Sequence, residues 1–197
     1  MMLMGMFRMK RGFCLFLVAL LAAGGIVQAQ SVAVLPQAPA TILIIRHAEK
    51  LTDGRVDLSE AGYKRAALMP TLFAGARADL PVPQVLFATH LSKHSNRPVE
   101  TITPLAAALK LPIDSTIMDD DYAALAKELL GGKYAGKVVL VAWHHGKIPQ
   151  LAVALGAQPP YTPWPDGQFD RIWRIDYKDG KATLRDLPQE LLPGDSK

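Results

Sequence analysis

The sequence predicts an α/β fold: a three-layer sandwich with helices on both faces of a mostly parallel central sheet. Three observations carry that expectation. Continuous apolar runs rich in β-branched residues read as strands buried on both faces: Thr41-Ile42-Leu43-Ile44-Ile45, Val85-Leu86-Phe87-Ala88-Thr89, and Val138 to Trp143. Segments with apolar residues at helical spacing separate these runs. Each run ends in, or feeds straight into, a cluster of Arg and His, and in open α/β sheets ligands sit at the carboxyl ends of strands.

Taken in order, the first run stops abruptly at Arg46-His47, which points charged groups at solvent or a ligand. Leu58-Ser59-Glu60-Ala61-Gly62 opens a helical segment to Phe73, with Ser59 suited to N-cap it. After the second strand, Pro98 to Leu111 reads as helix, Pro98 fitting a first turn. Asp120 to Leu130 makes a further amphipathic segment. The third strand runs into His144-His145-Gly146, and Ile148 to Leu155 returns as helix. Phe169 to Tyr177 and Lys181 to Leu187, separated by Lys178-Asp179-Gly180, predict a terminal hairpin. Tyr161, Trp164 and Trp173 are expected to pack that hairpin against the sheet.

The chain has 197 residues, half of them apolar and one fifth charged, which suits one ordinary domain with a packed core. Its first stretch reads differently from the rest. Arg8, Lys10 and Arg11 precede an unbroken apolar run from Gly12 to Val27, closed by Val27-Gln28-Ala29. A basic start, a short apolar centre and small residues at the end make a secretory signal, with cleavage expected after Ala29. The run is shorter than the roughly 20 residues of a membrane span. The expected organisation is a signal peptide over 1–29, a linker over 30–40, a catalytic domain over 41–190 and a C-terminal tail over 191–197. The expected compartment is the periplasm or the exterior.

Removing the signal takes Arg8, Lys10 and Arg11 from the 22 positive residues, leaving 19 against 18 acidic ones and a charge near +1. The whole-chain pI of about 9.2 overstates the basicity of such a mature chain. Nucleic-acid binding loses its compositional support, and no membrane contact is expected after cleavage. The one cysteine, Cys14, also leaves with the signal, so no disulfide or thiol chemistry is expected.

All five histidines fall at the three strand ends: His47, the pair His90 and His94, and the pair His144 and His145. Arginines beside paired imidazoles suit a phosphate ester, because guanidinium groups make bidentate, charge-assisted bonds to phosphate oxygens. A neutral histidine can attack phosphorus and split the transfer into formation and hydrolysis of a phosphoenzyme. That scheme needs no metal and no cofactor. His144-His145 is not arranged as a metal site, since adjacent side chains at a strand end diverge and no Cys, Asp or Glu follows at ligand spacing.

Four ordered pieces between about Thr41 and Leu155 resemble the histidine-phosphatase superfamily, whose fold is phosphoglycerate-mutase-like. They are Ile44-Ile45-Arg46-His47-Ala48-Glu49-Lys50; Leu58-Ser59-Glu60-Ala61-Gly62; Arg97-Pro98-Val99-Glu100-Thr101 with Pro104-Leu105-Ala106; and Val139 to Trp143 with His144-His145-Gly146-Lys147-Ile148-Pro149. The resemblance implies that His47 is the nucleophile, that Arg46 and Arg97 clamp the phosphate, and that His144 or His145 is the second catalytic histidine. A gapless alignment of the strand selects His144, whereas the Trp-x-His pattern of some branches selects His145, which is the preferred reading. The sequence departs from the family pattern at Ala48, where Gly is usual, and in the loop from Thr89 to Arg97, which lacks the usual Ser-Pro. The general acid stays unassigned among Asp119, Asp120, Asp121 and Glu49; Lys50 and Lys147 either tune the pocket or are solvated. The expected activity is a metal-independent phosphomonoesterase acting on a small phosphorylated substrate. The alternatives are a phosphoglycerate-mutase-type phosphotransferase and a catalytically weak binder of phosphorylated ligands in the envelope.

Overall fold

A strand buried on both faces sends alternate side chains into opposite layers, and β1 (Thr41–Arg46) does so along its whole length. Ile42 and Ile44 pack on one side with Val139, Val141 and Trp143. Leu43 and Ile45 pack on the other with Leu140, Ala142 and Ile172. The computed structural model describes residues 38–75 and 77–196. The expected signal segment 1–29, and the linker up to residue 37, lie outside the described residues.

β1 sits between β4 (Val138–Trp143) and β5 (Arg171–Lys178). β2 (Val85–Ala88) and the two-residue β3 (Ile113–Asp114) extend the sheet beyond β4, and β6 (Lys181–Pro188) extends it beyond β5. The order is β3-β2-β4-β1-β5-β6. The first four run parallel to one another, while β5 and β6 form an antiparallel hairpin added at one side. Helices α1 (Glu60–Leu72) and α2 (Arg97–Leu109) cover one face through Met69, Leu72, Ile102 and Leu105. Helices α3 (Tyr122–Leu130) and α4 (Ile148–Ala154) cover the other through Leu125, Leu129, Ile148 and Leu151. The mostly parallel three-layer sandwich expected from the sequence is therefore the observed fold. Each fully buried Leu or Ile contributes about 1.5–3 kcal/mol, so the layers are held by their facing apolar rows.

Local chemistry sets the element boundaries. Ser59 caps α1, its Oγ accepting from Gly62 N at 3.2 Å and donating to Glu49 O at 3.2 Å. Ser59 N also donates to Glu49 O, at 2.9 Å, so the helix start is pinned two residues past His47. Gly62 permits that approach: a Cβ there would lie 2.3 Å from Glu49 O, a backbone atom that cannot swing away. Gly62→Ala is expected to lose about 1–3 kcal/mol of stability by overpacking, read as a lower chemical-denaturation midpoint, and to lower any activity of the neighbouring His47.

α2 starts at Arg97, one residue before the expected boundary, and stops at Leu109, because Lys110 takes the left-handed conformation (φ 55°) and Leu111 precedes a proline. The Asp120–Leu130 segment divides into a 3₁₀ turn over Asp119–Asp121 and α3 proper. Asp179 (φ 51°) and Gly180 (φ 74°) form the two-residue turn with positive φ at both positions that joins twisted strands in a hairpin.

The segment after 190, expected as a tail, is folded onto α1. Asp195 accepts from Leu191 N at 2.8 Å, from Leu192 N at 3.1 Å and from the Arg65 guanidinium at 2.7 and 2.9 Å. Both side chains of that ion pair are buried, so the segment belongs to the domain.

Candidate active site

β4 lies between β1 and β2, so the carboxyl ends of all three open onto the same edge. His47 N donates to Trp143 O at 3.1 Å and Thr89 N to Ala142 O at 3.3 Å, which sets the three strand ends side by side. Arg46-His47, the loop leading to Arg97, and His144-His145 thereby converge.

His47 is 1% exposed. Its Nδ1 lies 2.7 Å from Ala48 O. A carbonyl only accepts, so Nδ1 carries the proton and Nε2 keeps its lone pair. Burial, reinforced by the positive charges of Arg46 and Arg97, pushes the imidazole pKa down to about 2, which keeps the ring neutral. The backbone on which it sits is fixed from α2: Thr101 Oγ1 donates to Arg97 O at 2.7 Å and accepts from Ala48 N at 2.8 Å. The four-residue spacing of Arg97 and Thr101 is thus one helical turn that joins Arg97 to the loop carrying His47.

Arg46 is equally buried. Its Nη1 donates to Pro165 O (3.1 Å), Asp166 O (2.5 Å) and Gln168 O (3.2 Å), and the guanidinium lies 3.9 Å from the centre of the Phe169 ring. Nε and Nη2 have no protein partner. Burial lowers the Arg46 pKa to about 10, which still leaves it charged. Arg97 is held similarly: Nη1 donates to Arg55 O (3.0 Å) and Val56 O (3.3 Å), while Nε has no partner. Each arginine is therefore oriented by loop carbonyls with donors left over, the condition for receiving an oxyanion.

The paired histidines lie in different surroundings. Consecutive side chains leaving a strand diverge, and His144 is the one that meets His47, with ring centroids 5.3 Å apart in an edge-on contact. Burial and then the Arg97 charge lower its pKa to about 4. His145, the preferred reading from sequence, turns away. Its Nε2 lies 2.9 Å from Asp166 Oδ1, beside a cavity of about 340 Å³ that Pro149, Gln150, Trp164 and Asp166 also line.

Among the acid candidates, Glu49 is engaged by Arg65, whose Nε and Nη2 donate to its carboxylate at 2.7–3.1 Å. Asp120 pairs with Lys147 at 2.7 Å, and Asp121 is exposed. Asp119 differs from all of these. Its Oδ1 is buried without a partner, and burial, then repulsion from Asp120, raises its pKa to about 6. Trp143 Nε1 donates to Asp119 O at 3.3 Å, placing Asp119 at the end of β4 just before His144. His90 and His94 are exposed on the connecting loop, His90 Nδ1 lying 3.0 Å from Ser115 O. Among the described residues no group of three or more His, Cys, Asp or Glu side chains is placed to hold a metal ion, and no helix is long and apolar enough to cross a membrane.

The loop 162–169 supplies a part of the site whose shape the sequence does not give. Trp164 Nε1 donates to Gln168 O at 2.9 Å and braces it, its carbonyls hold Arg46, and Phe169 lies against both Arg46 and His47. Alternating Pro and Gly mark residues 163–167 as a turn, but nothing local says that the turn folds onto β1. The expected packing of Tyr161, Trp164 and Trp173 holds, with Trp164 and Trp173 at 4.7 Å and Tyr161 and Trp173 at 5.2 Å between centroids.

No family model matches the chain, and no curated protein matches it in sequence. Solved structures do resemble it. A phosphoserine phosphatase variant from Entamoeba histolytica in complex with phosphoserine aligns with a TM-score of 0.53 at 12% identity, covering 77% of this chain and 98% of that one. The Bacillus stearothermophilus protein YhfR aligns with a TM-score of 0.52 at 15% identity, covering 81% and 98%. A candidate alpha-ribazole-5'-P phosphatase from Escherichia coli K-12 aligns with a TM-score of 0.50 at 18% identity, covering 75% and 96%.

Proposed function

We propose that this chain, whose fold is that of the histidine-phosphatase superfamily, is an exported phosphomonoesterase that works through a phosphohistidine on His47. The observation that carries the reading is the neutral His47. Its Nδ1–H is fixed by Ala48 O, its ring meets His144, and burial keeps it uncharged beside two arginines with unpartnered donors. Support from the same fold comes from the E. histolytica phosphatase, which holds phosphoserine, a small phosphomonoester.

In the proposed reaction, Nε2 of His47 attacks phosphorus and the bond from phosphorus to the ester oxygen breaks. Arg46, Arg97 and His144 hold the oxygens of the moving phosphoryl group, where preorganised donors lower the barrier most. Asp119, whose raised pKa keeps a share of it protonated near pH 6, supplies the proton to the departing alkoxide. Water then attacks the phosphohistidine and releases phosphate, with Asp119 taking up a proton. Every step uses this chain's own side chains.

The protein without residues 1–29 should hydrolyse a generic aryl phosphate in the presence of a chelator, and acid-free quenching should trap a labelled phosphohistidine. Absence of the labelled species during turnover would remove the proposed intermediate. The proton donor gives a pH signature: kcat should fall as pH rises through about 6, because Asp119 then loses its proton. Asp119→Asn should lower kcat by about 10²-fold or more and flatten that limb. The proposal of export rests on Arg8, Lys10, Arg11 and the apolar run to Val27; cell fractionation should find a mature chain beginning at Gln30 outside the cytosol.

A further inference from the structure

Buried polar side-chain atoms without a hydrogen-bond partner are costly, so each calls for a reason. Among the described residues they gather at one end of the sheet: Arg46 Nε and Nη2, Thr89 Oγ1, Arg97 Nε, Asp119 Oδ1, His145 Nδ1 and Gln168 Oε1. The proposed reaction uses Arg46, Arg97 and Asp119. His145 is tied to Asp166 through Nε2, and Gln168 belongs to the loop that Trp164 braces. Thr89, only 1% exposed, remains. Its place is set by the strands. Thr89 N donates to Ala142 O at 3.3 Å, which continues the pairing of Ala88 with Ala142 and puts Thr89 beside Trp143. Alternation along β2 turns Thr89 to the face of Phe87, which packs in one layer with Trp143 and Leu125. On that face Trp143 Nε1 donates to Asp119 O at 3.3 Å, and the residue after Thr89, His90, donates its N–H to Ile117 O at 2.8 Å. Thr89 and Asp119 thus lie on the same flank of Trp143, whose carbonyl receives His47 N and which leads into His144. One offers a hydroxyl and the other a carboxyl, and the two are not bonded to each other.

We propose that Thr89 is a further catalytic residue, whose hydroxyl and the Asp119 carboxyl together hold the oxygen that lies in line with Nε2 of His47 across phosphorus. This rests on the phosphatase reading above. In the first step that oxygen is the departing one. Its bond to phosphorus breaks as the bond from Nε2 forms, the Asp119 proton passes to it, and Thr89 donates a hydrogen bond to it. In the second step the oxygen is that of water. One of its protons passes to the Asp119 carboxylate, the other is donated in a hydrogen bond to Thr89 Oγ1, and the new bond to phosphorus displaces Nε2. One hydroxyl serves both steps because it rotates between donor and acceptor. Two bonds to one water fix its direction of attack, which a carboxylate alone leaves loose.

Thr89→Val removes the hydroxyl and keeps the shape of the side chain. With nitrophenyl phosphate, whose leaving group needs little help, the variant should lose about tenfold in kcat while KM does not rise. Labelled phosphohistidine, followed by rapid quenching in a single turnover, should decay about tenfold more slowly than in the wild type. Thr89→Ser, which keeps a hydroxyl, should recover most of both rates. A kcat within about twofold of wild type, an unaltered decay of the phosphohistidine, or a loss that Thr89→Ser does not recover would overturn the role of Thr89. A wild-type protein that hydrolyses no nitrophenyl phosphate overturns the phosphatase reading, and this role with it. An active wild type whose rates survive Thr89→Val overturns this role alone.

Discussion

His47→Ala is expected to remove hydrolysis, lowering kcat on the order of 10⁴-fold or more in a steady-state assay while the protein stays folded. The reason is geometric. Among the described residues, His47 at the converging strand ends combines a free ring nitrogen with a fixed tautomer and feels the charges of both Arg46 and Arg97. His144 is the nearest imidazole, but it meets His47 edge-on, and the proposed reaction uses it to hold phosphoryl oxygens. Hydrolysis by His47→Ala at more than a hundredth of the wild-type rate would rule out the nucleophile.

The same substitution has a second, independent readout. The folded-state pKa of His47 is lowered to about 2 from an ordinary value of 6.5, with burial the main cause. Between those limits the unfolded chain binds a proton that the folded chain does not, so stability rises with pH and is lost as pH falls below about 6.5. The slope for one such histidine is about 1.4 kcal/mol per pH unit. His144, lowered to about 4, acts in the same sense over the upper part of that window. Wild-type protein should therefore lose Tm steeply between pH 6.5 and 5. The Tm difference between His47→Ala and wild type should shift in favour of the variant over the same interval, and a difference that does not vary with pH would contradict the buried neutral ring.

The second large effect separates the neighbouring histidines. His144→Ala should lower kcat by about 10²- to 10³-fold, the usual cost of deleting one preorganised donor to a developing anion. His145→Ala should lower it by less than about tenfold, since His145 bonds to the exposed Asp166 and faces the side cavity. The contrast is the informative quantity. Comparable losses at both positions would mean that His145 also reaches the phosphoryl group, and a reversed order would restore the preference for His145.

The sequence favours His145, whereas the fold sets His144 against His47, for a physical reason. The strand Val138–Trp143 is legible from its apolar run, and so is its ending in two histidines, but which of them turns toward β1 depends on the phase of the pleat as the chain leaves the sheet. Phase is a tertiary quantity, fixed by pairing of Arg46 with Trp143. Periodicity also found β1, β2, α1 with its Ser59 cap, and the closing hairpin, because each is dictated by local chemistry. β3 escaped notice since two residues carry no period. The partners of Arg46 escaped because Pro165, Asp166 and Gln168 contribute only backbone carbonyls, which every residue has, from about 120 positions away. Glu49 looked available as an acid beside His47; only the folded chain brings Arg65 onto it, with Asp195 on the same guanidinium.

The two outer strands of the sheet bear on how the protein behaves when crowded. An unpaired strand edge is a template on which another chain can add, the first step of aggregation. β3 offers only Ile113 and Asp114 at one edge, too short to seed a ladder. β6 is longer, but it carries Lys181 and Arg185 exposed along its length and ends in Pro188, which has no N–H to give. The long, flat, apolar strands, β1 and β4, lie in the middle, each with a neighbour on both sides. Among the described residues each edge thus carries chemistry that opposes recruitment, and the long apolar strands that end at the converging histidines are flanked on both sides.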